Sequence, residues 1–175
     1  MTADGSADHA LGVSAASARQ GLRRALSGEG SHVDVGGAFL GLDWRLAGRR
    51  PAGAPHSVFR LLGHMIYWQD VYLERLAGAS VPSPEHDAIG WPGAEEPSSE
   101  DEWKDAVARF SAGLARAMRA AESNSLDLAL PNFGGRTRHE TLHLIASHNS
   151  YHVGQVALLR RMLETWPPPG GGDSW

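Results

Sequence analysis

Apolar residues recur at intervals of three and four through most of the chain, the spacing of amphipathic helices. Leu11, Ala15, Ala18, Leu22 and Leu26 predict a first helix from about Asp8 to Ser27, ended by Gly28 and Gly30. Val58, Leu61, Leu62, Met65, Trp68, Tyr72 and Leu76 predict a second, with Ser57 as N-cap after Pro55 and an end at about Ala77 before Gly78. The third is announced by Ser99 and Glu102, which spell a capping box. Glu100 and Asp101 complement the positive end of its dipole, and Trp103, Val107, Phe110, Leu114 and Met118 form its buried side to about Ser123. Thr137 with Glu140 is a second capping box and opens the fourth helix. It can run to about Thr165, where Pro167 to Pro169 forbid continuation.

The segments between helices carry different patterns. In 31–55, Val35, Phe39, Leu40 and Leu42 suggest helical turns that Gly36, Gly37 and Gly41 weaken, so a partly helical connector is expected. Residues 79–98 hold prolines with Ser, Gly and Glu and read as a long crossover, with Trp91 as the apolar anchor or an exposed lid aromatic. Leu126, Leu128 and Leu130 alternate with polar or small residues, the mark of an extended segment, a short strand or a hairpin edge. The expected fold is all-α: a four-helix bundle with a long crossover connection, forming one domain over 1–166. The Pro- and Gly-rich tail, 167–175, is expected to be disordered.

Composition narrows the chemistry. A chain of 175 residues can bury a continuous core without covalent staples, so a bound metal would be functional rather than a folding device. Cysteine is absent, which removes thiolate zinc sites, cysteine nucleophiles and disulfides together. The net charge of −4 gives no basic footprint for nucleic acid, and the arginine pairs at 23–24, 49–50 and 160–161 read as solvated helix faces. The polar, acidic start lacks the pattern of a secretory signal, and no stretch approaches a membrane span, so a cytoplasmic protein is expected.

Against that background the histidines of the fourth helix stand out. At about 100° per residue, His139 and His143 share one side, while His148 and His152 lie opposite, with Ile145, Val156, Leu159 and Leu163. Two imidazoles on an apolar stripe need partners, because an unsatisfied buried polar group costs about 1–3 kcal/mol. Ordinary core hydrogen bonds would serve, and so would one shared metal ion. His64, beside Met65 on the edge of the second helix's stripe, can point into the same interior. Three neutral imidazoles would leave a divalent ion its full charge and an open position, the pattern of a catalytic site, suited to Zn, Ni or Fe. Tyr67, Asn149, Tyr151 and Gln155 are candidates for supporting the ligands or lining a pocket, and no general acid or base can be named.

Two metal motifs fail by spelling. A zincin protease needs Glu after its first histidine, where this chain has Asn149; a di-iron bundle needs two Glu-x-x-His copies, and Glu140-x-x-His143 supplies one, on the polar face.

The segments Pro-His-Ser-Val-Phe-Arg-Leu-Leu-Gly-His at 55–64 and His-Asn-Ser-Tyr-His-Val-Gly-Gln at 148–155 resemble the DinB-like (YfiT-like) metal-binding four-helix bundle superfamily, over about Gly28 to Trp166. The resemblance implies a divalent metal on His64, His148 and His152, and frequent homodimers. It also implies kinship with S-transferases and isomerases that use a low-molecular-weight thiol such as bacillithiol, mycothiol or glutathione. The family name records a damage-inducible locus, and many members have no known activity. Gly63, a poor helix former just before the first expected ligand, departs from the pattern and could change how His64 is aimed. The leading expectation is a metal-dependent enzyme activating a thiol or water; the alternative is a non-catalytic metal-binding or stress-response module.

Overall fold

In the computed structural model, residues 14–83, 85, 87–91 and 93–171 are described. Five α-helices and no strands are found among them: α1 Ala15–Ser27, α2 Trp44–Gly48, α3 Val58–Leu76, α4 Glu100–Ala121 and α5 Arg138–Met162. The four long ones form the bundle. α3 packs against α4 and α5, and α1 against α5 and α4. The fold is therefore all-α, and among the described residues no helix is long and apolar enough to cross a membrane.

The helix starts follow their local chemistry. Ser57 accepts from Arg60 N–H, and Thr137 and Glu140 make the reciprocal capping box of α5. At α4 the arrangement differs from expectation. Ser99 caps Glu102 N–H, but the Glu102 carboxylate reaches past Ser99 to the backbone N–H and hydroxyl of Ser98. α1 ends at Gly28 in the left-handed conformation, and α3 runs unbroken through Gly63. The portion of the first helix expected over 8–13 lies outside the described residues.

Connector 31–55 contains a 3-10 turn at Gly37–Phe39 and the short α2. Phe39 is buried and meets Phe110 and Trp103 edge-on, which joins the connector to α4. The segment 126–138 makes a hairpin-like turn rather than a strand: Leu130 N–H donates to Arg136 O, Arg138 N–H donates to Leu128 O, and Ala129 and Thr137 form an isolated bridge.

One expectation is corrected near the C-terminus. Arg160 does not lie on a solvated face; it is 1 % exposed. Its Nη1 donates to Ala38 O and Leu40 O, while Nε and Nη2 donate to Thr165 O. The planar guanidinium fork satisfies carbonyls from two separate segments at once, which a helical wheel of α5 alone does not reveal. Just beyond α5, Trp166 lies against the Arg160 and Arg161 guanidinium groups, and Pro168 is buried. An apolar ring shielded by protein loses its reason to stay in solvent.

Candidate metal centre

His64 comes from the middle of α3, and His148 and His152 from successive turns of α5. Helix α3 packs on α5 through its apolar stripe, so the edge residue His64 meets the i, i+4 pair across the interface. His139 and His143 are exposed, as the wheel requires. The ring centroids of the three inward imidazoles are 5.0, 4.7 and 4.5 Å apart, and His64 Nε2 stands 3.1 Å from His148 Nε2. One nitrogen from each residue lies within 4.8 Å of the others, a group that could hold a metal ion.

Fixed partners decide which nitrogen is offered. His64 Nδ1–H donates to Gly90 O at 2.6 Å, and His152 Nδ1–H donates to Gln155 Oε1, also at 2.6 Å. With protons held on Nδ1, the Nε2 lone pairs of both rings are free. Two nitrogens bound to one ion at about 2.0–2.1 Å stand ~2.9 Å apart on an octahedral edge and ~3.4 Å apart on a tetrahedral one. The His64–His148 separation falls between these values, so the residues present fit a divalent ion.

Electrostatics favours the same state. Burial, reinforced by the neighbouring imidazoles, holds His148 down to about 3. Burial also lowers His64 to about 4 against the opposing pull of Gly90 O, and lowers His152 against that of Gln155. All three are neutral at pH 7 and need lose no proton to bind a metal.

The crossover completes the surroundings. Trp91 stacks on His64 with ring centroids 3.8 Å apart and an interplanar angle of 15°, and on His56 at 4.1 Å. Preceding it, Gly90 lies so close to α3 that a Cβ there would stand 2.9 Å from Trp68 Nε1. Glu95 then ties the crossover to the start of α3. Its carboxylate accepts from Ser57 N–H and pairs with Arg60, and its carbonyl accepts from the Ser57 hydroxyl. The sequence pattern marked Trp91 as an anchor but did not show that it covers a ligand-type histidine. The role of Gly90 O had no signal, since every residue has a carbonyl.

The sequence profile of the DinB superfamily matches residues 37–156, more than half of the chain. The chain belongs to the DinB superfamily. No curated protein and no solved structure matches it significantly.

Of the supporting residues expected in this DinB-superfamily chain, Gln155 contacts the cluster directly. Tyr151 is 66 % exposed; its ring lies edge-on to His152 and its hydroxyl accepts from Gln155 Nε2 at 3.4 Å. Tyr67 packs edge-on against Trp68, which itself lies edge-on to His148. Asn149 is buried in the core, where Nδ2 donates to Gln69 Oε1, and Gln69 Nε2 donates to Phe110 O. One position after His148 is about 100° around the helix, enough to aim Asn149 at α3 and α4 instead.

Proposed function

We propose that this DinB-superfamily protein binds a divalent metal, Zn, Ni or Fe, through His64, His148 and His152. In this reading it is a metal-dependent enzyme that activates a low-molecular-weight thiol or water, in the manner of an S-transferase. The supporting observation is the convergence of three neutral imidazoles, His64 and His152 buried and His148 half-buried, two with Nδ1 committed to fixed acceptors so that Nε2 faces inward. When bound, such an ion supplies Lewis acidity that favours the deprotonated form of a thiol or water at its open position.

The protein supplies orientation and shielding. Gly90 O and Gln155 hold two rings in the required tautomer, and Trp91 covers the His64 ring and limits solvent access. A proton shared between His64 Nε2 and His148 Nε2 is the competing occupant of their 3.1 Å gap. Elemental analysis of protein purified without a His-tag separates the two. Wild type should carry about one ion per chain, and His148→Ala should lose most of it; equal metal content in both would overturn the metal assignment. Thiol transfer to a neutral electrophile, assayed with bacillithiol, mycothiol and glutathione before and after chelation, then tests catalysis. Metal without thiol- or water-dependent turnover would leave a binding module.

A further inference from the structure

A cavity of about 320 Å³ lies beside the histidine cluster, between residues 52–56 and one side of α5. Its lining includes Pro55, His56, Leu61, Gln155, Leu158 and Met162, and contains no Lys, Arg, Asp or Glu. Two walls are shared with the centre. Gln155 accepts the His152 Nδ1 proton, and His56 stacks on the same Trp91 that stacks on His64. We propose that this cavity binds the apolar, uncharged body of the electrophilic substrate. The proposal rests on the enzymatic reading above and deepens it by naming the substrate class.

Three observations carry it. The volume falls at the small end of ligand cavities, ~300–1,000 Å³, and apolar walls with a few polar groups are their usual construction. Leu158 and Met162, which form part of its wall, are 60 % and 47 % exposed. Large apolar side chains gathered at one opening are where an apolar ligand gains most from leaving water.

The polar groups then define the ligand's other end. His56 Nδ1 is buried with no hydrogen-bond partner, so a proton placed there would be an orphaned donor. A neutral imidazole carries one N–H and one lone pair, so this unpaired atom leaves His56 able to give or take one hydrogen bond with a ligand. Burial and the Arg60 charge also hold its pKa below the ordinary value, which keeps the ring neutral. A neutral molecule with an apolar body and a single hydrogen-bonding group matches this set. The lining holds no Lys or Arg for the carboxylates of a thiol cofactor, and Arg60 nearby is already paired with Glu95, so the cavity is assigned to the electrophile.

The test uses the neutral fluorescent probe N-phenyl-1-naphthylamine on the full chain. Wild type should bind it saturably, and Leu158→Glu and Met162→Glu should each weaken binding by at least about tenfold, since a carboxylate then stands against an apolar wall. Both substituted side chains are substantially exposed, so these variants should fold, which circular dichroism checks. The anionic probe 8-anilino-1-naphthalenesulfonate should bind at least about tenfold more weakly than the neutral one. His148→Ala should leave neutral-probe binding unchanged, so loss of the metal reading and loss of the cavity are separately visible. Absence of saturable binding, or unchanged affinity in both Glu variants, overturns the proposal. So does a Leu158→Glu variant that turns a dimer into monomers by analytical ultracentrifugation while neither protein binds the probe, because the surface would then be an interface between copies.

Discussion

Replacing Gln155 with Leu tests whether a half-buried amide controls His152, one of the three proposed metal ligands. Gln155 Oε1 accepts the His152 Nδ1 proton at 2.6 Å, fixing both the tautomer and the direction of Nε2. Leucine keeps much of the side-chain volume and removes the acceptor. The His152 ring then becomes free to carry its proton on Nε2, the nitrogen required for coordination. Loss of a partner of this kind lowers metal affinity by about 10–100-fold, equivalent to about 1.4–2.7 kcal/mol. The expected change in folding stability is smaller, under about 1 kcal/mol, because Gln155 is only partly buried. Competition against a chromophoric zinc chelator measures the first quantity, and urea unfolding of the metal-free protein the second. Gln155→Glu supplies the internal control: a carboxylate accepts the same proton with added charge, so affinity should equal or exceed wild type. An affinity for Gln155→Leu within about twofold of wild type, an energy smaller than one ordinary net hydrogen bond, would refute the assigned role.

Two further outcomes follow from the packing and the charges. A Cβ at Gly113 would stand 2.1 Å from Gln69 Nε2, so Gly113→Ala should displace Gln69 from Phe110 O and disturb its bond with Asn149; urea unfolding should show a loss of about 2–4 kcal/mol. In metal-free protein, His64 and His148 are lowered from 6.5 to about 4 and about 3, so below pH 6.5 the unfolded chain takes up protons that the folded chain refuses. Stability should be full above pH 6.5 and fall progressively toward pH 4 by on the order of a few kcal/mol, read by urea titration across that range. A flat profile between pH 7 and pH 4.5 would contradict the burial of these rings in the neutral form.

The helices were legible because their causes are local. Ser57, Ser99 and Thr137 cap the backbone within three residues, and the apolar stripes of α3 and α4 repeat within a few turns. The same locality placed His148 and His152 together, since a spacing of four aligns side chains on any helix. The inward aim of His64 was also readable, from its place beside Met65 at the edge of a stripe. The capping carboxylate of Glu102 was misread by one residue because Ser98 and Ser99 both offer what it accepts.

What the sequence by itself determined is therefore an all-α bundle and a set of histidines able to meet inside it. Tertiary structure alone decided what surrounds them. Gly90 O reaches His64 across 26 residues, Trp91 stacks on both His56 and His64, and Arg160 is buried against Ala38 O and Leu40 O, carbonyls more than a hundred residues away in sequence. Asn149 turns to Gln69 for the same reason. A backbone carbonyl carries no residue-type signature, and an aromatic side chain does not announce which ring it will stack on, so their use becomes visible only when distant segments are brought together in space.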